Sequence, residues 1–209
     1  MAKKPSSKSK KPQGATTDAD RIVDAGLAEA AALGWRNVSM SAVAVRAGLP
    51  LATVLLAAPT RAHLVAKIFD RLDARMLTGL TARDDADSVR DRLFEIAMKR
   101  FDAMNANRNG MRAVVTGARF DPPAVGVALC RADRSAAMML AAAGVSPDGL
   151  FGYARIQGLK MVLACALKAW IDDDSADLAK TMAALDRALE RAESLARFRG
   201  FRRSQTEAA

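Results

Sequence analysis

Apolar positions recur along this chain at helical spacing, in stripes separated by short polar breaks. Ile22, Val23, Leu27, Ala30 and Ala31 predict the inward face of a helix over 21–33, opened by a capping-box-like Thr17 and Asp20 and stopped at Gly34. Ser39 reads as an N-cap, and Val43, Ala44 and Ala47 fall on one face of a two-turn helix that Gly48 ends. Pro50 suits the first turn of a second short helix, because its missing N–H would have no partner there. Pro59 closes that helix and Thr60 caps a longer one reaching about Ala82, with Leu64, Ile68, Leu72, Met76 and Leu80 spaced four apart.

A polar turn is expected at 83–88, followed by a helix from Val89 with Leu93, Phe94, Ile96, Ala97, Phe101 and Met104 on a broad apolar face. The pattern breaks at 105–110 and again at Asp121-Pro122-Pro123. A further helix from Ala124 to Ala143 stops at Gly144, and Ser146-Pro147 opens the most apolar segment, Leu150 to Ile171. Arg155, Gln157, Lys160 and Lys168 interrupt that segment, which argues for a central buried helix with one polar edge rather than a membrane span. After the acidic turn 172–174, Asp174 or Ser175 caps a last helix with Leu178, Met182, Leu185, Leu189 and Ala192 on one face. No stretch alternates with period two, so the expected fold class is all-α, with no sheet.

Composition sharpens this picture at three points. With 209 residues and 51% hydrophobic content, the chain is long enough for a real core. The net charge of +9 invites a polyanion partner, but it is concentrated at the ends. Residues 1–11 hold Lys3, Lys4, Lys8, Lys10 and Lys11 with no acid, whereas Arg21, Arg36, Arg46 and Arg61 are balanced by Asp18, Asp20, Asp24 and Glu29. Residues 1–16 therefore read as a disordered basic tail, open to service as a solubilising segment, a DNA minor-groove arm or a patch for anionic lipid, and 201–209 as a basic flexible tail. The two cysteines, Cys130 and Cys165, lie in apolar helical surroundings and are expected to be reduced core residues. The single histidine, His63, is expected at the surface. No nucleophile elbow, phosphate loop or metal spacing is present, so neither an enzyme nor a cofactor is expected. The chain lacks a signal-peptide pattern, and a cytoplasmic location is expected.

Two short helices joined by a Gly-containing turn form a helix-turn-helix. The preceding helix with its Gly34-Trp35 step, the Ala47-Gly48 turn, and Pro59-Thr60-Arg61 followed by Leu64 together resemble the amino-terminal domain of the TetR family of one-component regulators. That resemblance implies a helix-turn-helix domain over 17–64, a helical ligand-binding and dimerisation domain over 65–200, and DNA contacts from Arg46, Thr53 and Arg61. The second helix departs from the family in holding Leu51, Ala52, Leu55, Leu56, Ala57 and Ala58, and so reads as a helix built to be buried.

Trp170, Asp172, Ser175, Asp177, Thr181, Leu185, Asp186 and Arg187, with the segment 89–101, resemble a second group, the Coq-nine family of TetR-fold lipid-binding proteins. This likeness implies an isoprenoid or other apolar lipid ligand, support of ubiquinone biosynthesis and a partner enzyme of that pathway. Methionine-rich apolar positions supply a candidate pocket of Phe94, Met98, Phe101, Met138, Met139 and Met161. Near the carboxy terminus Arg197, Phe198, Arg199, Phe201, Arg202 and Arg203 form a candidate membrane-surface or phosphate patch. Two functions are thus open: a TetR-fold lipid-binding accessory protein with a degenerate DNA-reading helix, or a repressor that binds DNA and a small apolar ligand. Either is expected to be a homodimer through its last two helices.

Overall fold

The computed structural model describes residues 17–80 and 88–206, with side chains described as far as 195. The basic tail 1–16, all but Ser88 of the turn expected at 83–88, and the side chains of Arg197, Phe198, Arg199, Phe201, Arg202 and Arg203 lie outside the described residues. Within them the chain is helical, with no strand: α1 (Asp18–Leu33), a 3-10 turn (Trp35–Asn37), α2 (Met40–Ala47), α3 (Leu51–Ala57), α4 (Arg61–Leu77), α5 (Val89–Asn105), α6 (Arg108–Ala118), α7 (Pro122–Ala142), α8 (Gly149–Ile171) and α9 (Ala179–Thr206).

The helix starts are set by side chains that satisfy the free N–H groups of a first turn. Thr17 Oγ1 accepts from Asp20 N at 3.1 Å and donates to Asp20 Oδ2 at 2.7 Å. Ser39, Thr60 and Ser88 accept from Ala42, His63 and Asp91 respectively. Helix ends fall where the backbone turns left-handed: Gly48 at φ 62° lets the chain reverse after α2, and Gly79 at φ 70° follows the end of α4. That second glycine makes α4 shorter than the four-residue spacing predicts. Leu80 packs on the core from outside the helix.

Buried side chains form one continuous cluster from Ile22, Val23 and Leu27 of α1, through Val43 and Leu64, to Ile96, Met139, Trp170 and Leu185. Ala31 lies outside the inward stripe of α1 and is exposed, whereas Ala25 and Gly26 belong to it. The helix missing from the sequence reading is α6. The stretch ending at Gly110 reads as a break, yet the glycines of α6 permit close approach: a Cβ at Gly110 would stand 2.5 Å from the Leu27 carbonyl oxygen, and one at Gly117 would stand 2.5 Å from Trp35 Cβ. Through them α6 lies directly against α1 and the 3-10 turn.

The expectation for α8 is overturned. Only Gly152, Leu159, Val162, Ala166 and Trp170 are buried in it. Leu150, Phe151, Tyr153, Met161 and Cys165 face outward, because α7 and α9 cover one side of the helix alone. By length and composition α8 could cross a membrane, but its interrupting cation has a protein partner: Lys160 Nζ donates to Asp133 Oδ1 of α7 at 2.6 Å. Both cysteines are exposed thiols rather than core residues, Cys165 on that outward face and Cys130 on α7.

Candidate nucleic-acid interface

The helices α2 and α3 meet at 118°, within the range of a helix-turn-helix pair. Arg21 of α1 braces the corner: its Nη2 donates to the carbonyls of Ala47 at 2.6 Å and Gly48 at 3.1 Å. The guanidinium thus sits where the α2 dipole is negative and its last carbonyls lack partners. Val54 and Ala58 anchor α3 inward and are fully buried.

The rest of α3 faces away from the protein. Leu51 and Leu55 are 45% and 41% exposed and Leu56 is 89% exposed, with Ala52 also at the surface. The expectation of a buried recognition helix is therefore corrected. Seven residues make only two turns, and contact with α2 is satisfied by Val54, Ala58 and part of Thr53 and Ala57, so nothing covers the opposite side.

Of the three residues assigned to DNA, Thr53 alone lies on α3, half-buried at the edge of this face. Arg46 is engaged elsewhere: its Nε lies 2.5 Å from Oε1 of the buried Glu29. Arg61 is a strut, its Nε donating to Asp121 Oδ2 at 3.0 Å and its Nη1 to the Arg36 carbonyl at 2.7 Å. Among the described residues of this domain, Arg36 is an exposed arginine whose guanidinium has no protein partner. His63 is exposed as expected, its Nδ1 2.8 Å from Thr60 Oγ1.

Comparison of the whole chain with solved structures decides what holds this unit. The fold is the TetR fold. A TetR transcriptional regulator from Nitrosomonas europaea superposes with a TM-score of 0.67 at 23% identity, covering 84% of this chain and 97% of that one. A TetR transcriptional regulator from Rhodococcus gives 0.59 at 20% identity, covering 84% and 94%. The multidrug binding protein EbrR, complexed with imidazole, gives 0.52 at 22% identity, covering 80% and 87%. No protein-family model matches the sequence, and no curated protein sequence matches it. Nothing in these comparisons supports the Coq-nine likeness of the carboxy-terminal stretch.

In a TetR fold the candidate pocket residues fall on three helices. Phe101 and Met139 are buried in the closed core between α5 and α7, and Phe94, Met98 and Met138 pack half-buried against it. Met161 does not join them: it is 67% exposed on the outer face of α8. Two hollows lie elsewhere, on the surface of α1: about 370 Å³ bordered by Arg21, Asp24 and Arg46, and about 150 Å³ bordered by Asp20, Lys67 and Arg71.

The helical core also holds a buried polar cluster that the sequence reading passed over. Arg100 Nη1 of α5 donates to Asp73 Oδ1 of α4 at 2.5 Å, and Ser135 of α7 donates to the same oxygen at 2.7 Å. Arg100 also stacks on Phe69, 5.0 Å from the ring centre. Burial pushes the Arg100 guanidinium below its ordinary pKa, and the Asp73 carboxylate opposes that shift. Each of the three residues reads singly as helix surface. Only the packing of α4 between α5 and α7 joins them.

Proposed function

We propose that this chain is a dimeric, DNA-binding transcriptional regulator whose helix-turn-helix engages the major groove through α3. The observation that carries the reading is the exposed outer face of α3, set at 118° to α2 in a fold shared with TetR regulators over 84% of the chain. A helix standing clear of its own domain in this way has the placement of a recognition helix. Polyanion attraction comes from the five lysines of the amino-terminal tail and from the exposed Arg36, since Arg46 and Arg61 are paired within the protein.

Dimer formation is supported by the outward face of α8. Leu150, Ala154, Met161 and Cys165 recur there at helical spacing, a run of apolar surface that fits a second copy of the same helix. An apolar effector is assigned to the region of Phe94, Met98, Phe101, Met138 and Met139, where unbranched methionine side chains can shift to admit it. The lipid-accessory reading has less behind it, because the related folds are regulators.

The test is selection of binding sites by the full-length protein from a random DNA duplex pool at physiological salt. Enrichment of a two-fold symmetric sequence is expected. Recovery of unenriched DNA, with binding that vanishes with salt, would overturn the reading.

A further inference from the structure

The outer face of α3 offers DNA almost no hydrogen-bonding groups. Leu51, Ala52, Leu55 and Leu56 lie on it, and Thr53 at its edge carries the helix's single polar side chain. Guanine is usually read by a bidentate Arg or Lys and adenine by Asn or Gln, and α3 has none of these. Two arginines of the domain are already paired, Arg46 with Glu29 and Arg61 with Asp121 and the Arg36 carbonyl, and the exposed Arg36 stands on the 3-10 turn rather than on α3. One major-groove feature remains that an aliphatic side chain can recognise, the C5-methyl group of thymine.

We infer that α3 reads thymine methyl groups by apolar contact, so that the half-site of this protein is defined by where its thymines stand. The inference rests on the DNA-binding reading and specifies its chemistry. Leu51–Leu55 and Ala52–Leu56 form two rows four residues apart, about 6 Å along the helix axis. Two base-pair steps span about 6.8 Å, so each row can meet methyl groups two steps apart. Ala52 keeps one row short, which lets the helix approach the groove floor beside the longer Leu56. Leu56 is 89% exposed in the free protein, so nearly all of its surface is available for DNA to cover. The face carries no carboxylate to repel phosphate, and the lysine tail supplies the complementary charge.

The experiment deletes the methyl group and leaves the base pairing intact. A site selected by the full-length protein is resynthesised with deoxyuridine replacing one thymidine at a time, and affinities are read by fluorescence anisotropy. Uracil at contact positions is expected to weaken binding about fourfold per methyl group, the equivalent of ~0.8 kcal/mol, and uracil at flanking positions to do nothing. In Leu56→Ala, whose exposed position leaves folding intact, one of those uracil effects should disappear while the thermal midpoint is unchanged. Equal affinity for thymine and uracil versions of a site that is still preferred over other DNA would overturn the inference and leave the regulator reading standing. Failure to enrich any site would remove both. Leu56-dependent sedimentation with phosphatidylserine vesicles in place of DNA selectivity would likewise overturn the inference and put a membrane on this face.

Discussion

Asp173 shows how one side chain can close a helix junction. It is fully buried and its two oxygens accept from Ser175 N at 3.2 Å, Ser175 Oγ, Thr181 N at 2.8 Å and Thr181 Oγ1 at 2.7 Å. Burial works against its ionisation, but the Ser175 and Thr181 hydrogen bonds outweigh burial and hold its pKa at about 2. The unfolded chain would titrate near ~3.9, so the folded state is favoured by ~2 kcal/mol wherever the carboxylate is ionised in both states. Since the folded value is the lower one, that contribution is complete above about pH 4 and is lost as pH falls toward 2. Urea midpoints measured from pH 7 down to pH 2 should show this loss, and Asp173→Ala should flatten the acid limb while costing ~2–4 kcal/mol at pH 7. The acidic turn was legible as a cap, with Ser175 in that role confirmed by its bond from Ala179 N at 3.0 Å. The choice among three consecutive aspartates was not. It depends on Leu178 adopting φ 56°, which turns α9 back over the middle one. Asp73 is the second such residue: Asp73→Ala would leave the Arg100 cation buried without its partner, and a loss of ~3–5 kcal/mol is expected in the same assay.

The limits of an element are legible in the sequence where they are chemical and hidden where they depend on neighbours. Ser39, Gly48 and Thr60 mark the ends of α2 and the start of α4 by capping groups that any sequence displays. Gly110 carries the wrong message, since a glycine that breaks a helix and one that lets two helices touch look alike until the partner is known. Gly117→Ala is expected to push α6 off Trp35 and lower stability by ~1–3 kcal/mol, measurable as a fall in thermal midpoint. On α3 the failure has the opposite sign. Apolar composition implies burial only when something is available to cover the face, and α3 has α2 on one side and solvent on the other. Leu56→Ser should therefore change the folding free energy by less than ~0.5 kcal/mol.

At the scale of the whole molecule, the all-α class and the order of every helix but α6 among the described residues follow from periodicity, whereas the outward aspect of α8 does not. A helix that is apolar nearly all round reads as buried; in the symmetric pair proposed above, half of that burial would be supplied by the second copy. Met161→Glu should place a charge in the pair interface and raise the dimer dissociation constant at least ~100-fold by sedimentation. The exposed thiols provide an independent check. Cys165 should react slowly with a thiol reagent in the wild-type dimer and quickly in Met161→Glu, while Cys130 reacts alike in both.

The polar links between α4 and α7 carry a mechanical consequence. Arg61 meets Asp121, Asp70 meets Arg131 at 2.7 Å and Arg134 at 3.5 Å, and Asp73 meets Ser135 at 2.7 Å, in the same order along both helices. The two helices run parallel and are splinted at three points over about 18 Å. Such a pair resists bending, and a push delivered at one end reappears at the other as a tilt of the whole splint. Pivoting by 10° about Asp73 would carry the start of α4, and with it the seat of α3, by about 3 Å. That is close to one base-pair step, enough to take α3 out of register with the groove proposed for it.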